Sequence, residues 1–486
     1  MSAGTVRRGP ILLALIVVMV AAIVFDDRGN APATRGAGVG NVAAGPALAA
    51  SDALTSSWFC AEGTSTPDGR ADETVVIASV ADTRIDATVT VMLGGLTPMV
   101  SRTVHVAPRR EARVHLADLV VAAEPAVVVE VVGGQAAVVH EVAANGDIAT
   151  EPCARGASTD WYFAAGTTLK GAQQYIVLFD PFGDDAIVDL TFLTDDGVQE
   201  PDALQAVVVP RRSRVSIPVA DSLPRQRDVA VHVHARSGRV VADRTQLFDG
   251  TASDGEVARK GIALSLGAEA PAHEWNLAYG TTTSGEAGVV GVANFGPAST
   301  VVDVNVVLDG DQTIAAESVA VPARSVRMVD VAGRVPADSR YAVQVIARDV
   351  EGNAPPVVAE ALDWRPMTAT SPAVATAVGS SQPARRWVVA LVSKDDEGVV
   401  TVLNPGTRRL TVTLHMLRAS GGSRRSRPRR VDSGHVTTFD LARVGAQSDG
   451  VLVVVSDHPS TVGITLTGPG GAAVASAVPD FSYGVR

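Results

Sequence analysis

The side chains in this chain that could carry chemistry are few and scattered. Cys60 and Cys153 are its two cysteines, and both follow an N-terminal apolar run that would export them, so a single disulfide in an oxidising compartment is the natural pairing. A redox or metal pair would need further Cys or His nearby at ligand spacing, and none stands there. His232 and His234 lie two apart in an alternating segment, so they would share one face of a strand and could begin a metal site. No third ligand is identifiable beside them, and the stronger reading places both outward in solvent. Paired acids recur in turns, at Asp184 and Asp185, Asp195 and Asp196, Asp309 and Asp311, and Asp395 and Asp396. Calcium needs six to eight oxygens, and Asp with Gly is also ordinary hairpin chemistry. Arg424, Arg425, Arg427, Arg429 and Arg430 crowd into one short stretch. Guanidinium forks suit carboxylate and phosphate, so these five are the candidate anion-binding residues; the plainer reading is a solvated loop between strands.

Local signatures of catalysis are missing: there is no G-x-S-x-G, S-x-x-K, H-E-x-x-H, CxxC or glycine-rich phosphate loop. The expectation is therefore a protein that is not an enzyme, with no catalytic residue, metal ligand or cofactor assigned.

The elements that must position these residues are read from a repeat. Trp58, Trp161, Trp275 and Trp387 fall 103, 114 and 112 residues apart, and similar sequence surrounds each. A period of about 110 residues filled by short alternating Val-rich segments is the size of a two-sheet sandwich and too long for a solenoid repeat. Trp followed five residues later by Gly opens modules 1 to 3, at Trp58 to Gly63, Trp161 to Gly166 and Trp275 to Gly280; module 4 keeps Trp387 but not the Gly. A strand and an Asx turn follow, read at Asp82, Asp180, Asn294 and Asn404. Alternating strands come next, such as ATVTVML (87 to 93) and TVVDVNVVL (300 to 308), and then turns with Pro and basic residues: VAPRREARVHL from Val106, VVPRRSRVSI from Val208 and VPARSVRMV from Val321. Module 4 reads VDSGHV at that point, from Val431. Seven or so short strands per repeat predict an all-β chain of four tandem immunoglobulin-like β-sandwich modules.

At the N-terminus, Pro10 to Phe25 is unbroken apolar sequence with Arg7 and Arg8 before it and Asp26 and Asp27 after it, an asymmetry that keeps the first residues cytoplasmic. Sixteen residues of helix span roughly 24 Å, between a signal-peptide core and a full span. The reading is a cytoplasmic tail over 1–9, a transmembrane signal-anchor helix over 10–25 and a flexible linker over 26–53. Modules 1, 2 and 3 are then placed at 54–155, 156–255 and 256–366, with a linker over 367–384 and module 4 over 385–486. The alternative is secretion after cleavage following Ala31-Pro32-Ala33.

The formal net charge of −11 disfavours nucleic acid as a partner, because phosphate binding depends on clustered Lys and Arg. With four of five tryptophans at the repeated position, aromatic platforms for stacking sugars are scarce.

The repeat resembles the DUF5719 family, a domain of unknown function in exported proteins of high-GC Gram-positive bacteria. The resemblance rests on SWFCAEG around Trp58, EPCARG around Cys153, WYFAAG after it, and the Asx and VP-basic turns. It covers nearly the whole exported part and implies an N-terminal anchor and an envelope location, with no activity to transfer. The expected role is a non-enzymatic, membrane-anchored structural or interaction protein of the cell envelope, its modules forming a semi-rigid arm. Envelope proteins are its expected partners, with the membrane engaged through the N-terminal helix. The alternative is a protein that binds an anionic cell-wall glycopolymer through the module 4 arginines.

Overall fold

A computed structural model of the chain describes residues 45–483, apart from 96, 253–255, 311–313, 315, 349–353, 368–372, 391–396, 419–421, 445–449 and 469–470. The tail at 1–9, the helix expected at 10–25 and the linker as far as 44 lie outside the described residues. So do Asp311, Asp395 and Asp396.

The alternation seen in the sequence produces strands throughout. In module 1 these are β1 (Thr55–Cys60), β2 (Asp72–Ser79), β3 (Ile85–Met92), β4 (Val100–Val106), β5 (Glu111–His115), β6 (Ala126–Val132), β7 (Ala136–Ala144) and β8 (Asp147–Pro152). They make two antiparallel four-stranded sheets, ordered β1-β6-β3-β4 and β5-β2-β7-β8. The same two orders recur in each later module. In module 4 the counterparts of β6 and β7 run on as one strand, Val451–Gly468, which serves first one sheet and then the other. An immunoglobulin sandwich places its first strand beside the second and its last beside the sixth. Here β1 pairs with β6, β7 pairs with β2, and an eighth strand pairs with β7, so the strand order differs from that arrangement.

Each repeated tryptophan is buried between its two sheets, at 0 to 3 % exposure. Three of the indole N–H groups donate to carbonyls at matching positions, Val240, Val357 and Ser460. Trp58 makes no such bond and lies instead under the guanidinium of Arg155, 4.7 Å from the ring centre. Beside it the Cys60–Cys153 disulfide ties β1 to the segment after β8.

The turn after the second strand corrects one landmark. In modules 2 to 4, Asp180, Asn294 and Asn404 each accept the amide two residues on. In module 1 that role falls to Ser79, which accepts from Ala81, whereas Asp82 binds Arg109 in the next turn. Ser79 bonds the backbone in the same way as an Asx residue, so the turn begins three residues before Asp82, inside the VVIASVA run.

The sequence leaves open whether the four modules run straight or fold back; in the structure they fold back and close on themselves. β8 lies beside its counterparts Lys260–Leu266 and Gly471–Ser476, and Ala373–Val378 lies beside those same two strands. The loop closes between the first and last modules, where the Leu48 amide donates to the Pro479 carbonyl at 2.9 Å and Arg110 bridges to Gly450. Three boundaries shift accordingly. Leu48, expected in the linker 26–53, is buried against modules 1 and 4. Lys260–Leu266 completes the second sheet of module 2, beyond 255, by pairing with Val241–Asp249. Ala373–Val378, expected in the linker 367–384, is the last strand of module 3. Its composition of Ala, Val and Thr looked like a spacer, yet small side chains are what four converging strands require.

The disulfide closes a loop of 93 residues in sequence separation. Replacing both cysteines by Ala should lower unfolding stability by about 4 to 5 kcal/mol if chain entropy dominates. A denaturant midpoint unchanged from the oxidised parent would refute a stabilising role.

Candidate functional site

The four inner strands are each the free edge of a sheet, and unpaired edge amides invite aggregation unless covered. Mutual packing covers them, with Ala149, Ala263, Ala373, Ala375 and Ala377 all buried. Asp147 at the start of β8 is also buried, and its Oδ2 accepts the edge amides of Ile262 (3.2 Å) and Val374 (3.0 Å), one from each of two other modules.

Between modules a single position recurs. Val139, Asp243, Glu360 and Gly463 occupy the same register on β7 and its counterparts, opposite Val76, Val177, Gly291 and Thr401. Asp243, Glu360 and Gly463 face the segment after the first strand of the preceding module. Asp243 Oδ2 accepts the amides of Ala61 (3.1 Å) and Glu62 (2.9 Å). Glu360 Oε2 accepts those of Ala164 and Ala165, both at 3.0 Å, while Arg244 holds the same carboxylate through two bonds of 2.6 and 2.9 Å. Gly463 brings backbone to backbone: a Cβ there would lie 2.6 Å from the Ala278 carbonyl oxygen. Val139 packs with Val388 and Ala390 of module 4.

Glu62 adds a second buried charge at the first of these seams. Burial pushes its carboxyl up, but Arg214 and Arg70, with the Thr245 hydroxyl and the Gly63 amide, outweigh that and hold it below the usual range. Next to it, His140 lies between Glu73 and Asp243. Burial lowers the imidazole, yet those two acids outweigh it and raise its affinity for a proton.

Where the inner strands end, residues of all four modules line a pocket of about 480 Å³. Its walls include Leu266, Tyr279, Val462 and Phe481, and Glu151 of β8 enters it from module 1. Glu151 is 3 % exposed, its Oε2 has no hydrogen-bond partner among the described residues, and the Leu266 amide bonds the carboxyl. Burial, followed by the nearby Asp243 and Glu360, raises its pKa well above the ordinary carboxylate range. The group is thus suited to remain a neutral acid that can donate a hydrogen bond into a chamber of mixed lining, where Asn276, Gln382 and Thr461 stand beside the apolar residues.

The sequence-predicted arginines lie away from this pocket, on the outer edge of module 4. Ser423–Arg425 and Arg429–Val431 pair side by side with Leu410–Leu417. Arg424, Arg425, Arg427 and Arg430 are exposed, with no ion pair among the described contacts. Arg429 differs: its guanidinium bonds Thr437 and Thr438 and stacks on Phe439 at 4.4 Å, which fixes it to the sheet. In the basic turns of modules 1 to 3, Arg109 pairs with Asp82, Arg211 with Asp185 and Arg324 with Glu200, while Arg212 is exposed with no ion pair among the described contacts. Cys60 and Cys153 are joined to each other. Sequence reasoning missed Asp147, Asp243, Glu360 and Glu151 because each reads as an ordinary polar residue in a strand. Only the matching strand register singles out Asp243 and Glu360.

These features define an all-β protein of repeated sheet pairs, stapled once by a disulfide and gathered around buried carboxylates. The chain belongs to a family of unknown function (DUF5719), whose profile matches residues 143–256 and 260–479. No curated protein matches it.

Two measurements probe this arrangement. Glu360→Ala leaves Arg244 buried and unpaired, and should cost about 3 to 5 kcal/mol of unfolding free energy in urea titrations. For Glu151 the folded pKa lies above the unfolded value of 4.5, so the folded state binds more protons between the two and stability falls as pH rises through that window. Glu151→Gln should therefore gain stability over the parent as pH increases from 4 to 8; a constant difference would contradict a raised pKa.

Proposed function

We propose that this is a non-enzymatic, membrane-anchored structural or interaction protein on the outer side of a bacterial cell membrane, acting as a compact ring of four modules. Each module is read as an immunoglobulin-like sandwich whose first and seventh strands have traded sheets and which carries an eighth strand at one edge. The observation that carries the role is where the buried charge goes. Glu62, Asp243, Glu360, Arg214 and Arg244 are spent on backbone amides, carbonyls and each other at the seams, which favours one rigid arrangement. A rigid ring turns its outer sheets and loops toward partners, which we read as envelope proteins. The anchor rests on the apolar run from Pro10 to Phe25, and the bonded cysteines fit an oxidising compartment. Secretion after cleavage is the alternative fate of the same chain.

The four exposed arginines of module 4 support a second reading, binding of an anionic cell-wall glycopolymer. Arg425 sits opposite His415 on the outer face, and burial, with the positive charge of Arg425 and Arg386 adding to it, lowers the affinity of that imidazole for a proton. Co-sedimentation with isolated cell wall across a salt series separates the two. Interaction with envelope proteins predicts crosslinks to proteins in intact cells and no salt-sensitive wall binding. Wall binding that weakens steeply with salt and disappears when Arg424, Arg425, Arg427 and Arg430 become Ala would transfer the role to the polymer.

A further inference from the structure

His232 and His234 gain from the fold the partner that the sequence did not show. The strand Asp160–Phe163 pairs with Val229–Ser237 so that Asp160 stands opposite His234 and Tyr162 opposite His232. Trp161, Val231 and Val233 alternate inward and are buried, which turns the other four residues outward. One carboxylate oxygen, Asp160 Oδ1, lies 2.9 Å from His232 Nε2 and 2.8 Å from His234 Nδ1. All three donor atoms fall within 4.8 Å of one another. Ligands bound at about 2.0 to 2.1 Å in a tetrahedral site are separated by roughly 3.3 Å, so small rotations of the side chains would admit an ion.

The surroundings hold these groups in place. Thr159 Oγ1 donates to the other carboxylate oxygen, Oδ2, at 2.8 Å, which leaves Oδ1 for the imidazoles. The His232 ring stacks on Tyr162 with centroids 4.3 Å apart and planes within 5°, and Phe295 of module 3 meets both edge-on. Outer contacts of this kind orient metal ligands and sharpen affinity. The side chains of Asp160, His232 and His234 keep 29, 24 and 50 % exposure, which leaves room for water or an exogenous ligand on the ion.

We propose that Asp160, His232 and His234 form a surface site for a zinc-class divalent ion, with three protein ligands and at least one open position. Two imidazole donors select zinc, cobalt, nickel or copper over calcium and magnesium, which prefer all-oxygen cages. The site is separate from the axial pocket and from the module 4 arginines.

The test is calorimetric titration of the full chain, disulfide intact, with zinc chloride, and with cobalt chloride followed by visible absorption. One equivalent should bind, with absorption bands of low-coordinate cobalt that zinc abolishes and excess calcium does not. His232→Ala, His234→Ala and Asp160→Asn should each weaken binding at least tenfold, while the variants' thermal unfolding reports that the fold survives. Thr159→Ala, which touches only the orienting bond, should weaken it less. Removing His105 and His115, each already paired with a carboxylate elsewhere on the surface, should change nothing. No saturable zinc binding, binding indifferent to the three ligand variants, or displacement by calcium would overturn the proposal.

Discussion

The structure depends on how backbone groups are satisfied where one module meets the next. The segment after the first strand of a module presents amides and carbonyls to its neighbour in a place that water cannot reach, and an unmet buried polar group costs on the order of 1 to 3 kcal/mol. Asp243 and Glu360 meet two amides each across their seams. At the other two seams Gly463 lets backbone come up against the Ala278 segment, and Val139 shares an apolar cluster with Val388 and Ala390. A carboxylate of fixed reach accepts two amides only in one relative placement, so these residues set the angle between modules as well as bonding them.

Bringing the modules together also resolves the problem of edges. A string of four sandwiches would expose four strands with unpaired amides. Turning them inward hides those edges, with the small Ala149, Ala263, Ala373, Ala375 and Ala377 alternating with larger buried residues such as Ile262, Leu264 and Val374, and with Asp147 as acceptor for two edge amides. Ser265 and Thr376 continue the polar line, bonded to each other at 2.8 Å and to Glu360 and the Leu264 carbonyl. Where the line opens into the pocket, Glu151 is left with an unused oxygen. Burial and then the negative charge of the neighbouring Asp243 and Glu360 favour its protonated form, which outweighs the one bond it accepts from the Leu266 amide.

The same module plan carries different chemistry at its surface. In module 2, outward positions of the first strand and its partner strand hold an acid and two imidazoles; in module 4, the edge hairpin holds free guanidinium groups. Neither depends on the core, since the inward residues of those strands are Trp, Phe, Val and Leu whatever lies outside. A repeated sandwich can therefore vary its outer face without loss of packing, as expected when function is grafted onto a common frame.

The all-β class, the four-fold repeat, the buried tryptophans and the disulfide partners were all legible in the sequence, because alternation and spacing act within a strand or recur at a fixed period. The turn at Ser79 was partly legible, hidden by the resemblance of Ser and Asp chemistry. What the sequence could not give is ring closure. Ala373–Val378 carries no alternation to mark it, since it is packed on every side, and its small residues imitate a linker. Nor could it bring Asp160 to histidines 72 and 74 positions away, or separate Asp243 and Glu360 from other acids in strands. Those relations exist only once strand register and the contacts between modules are fixed, because hydrogen bonding across strands joins residues by position in the sheet and carries no trace in the order of the chain.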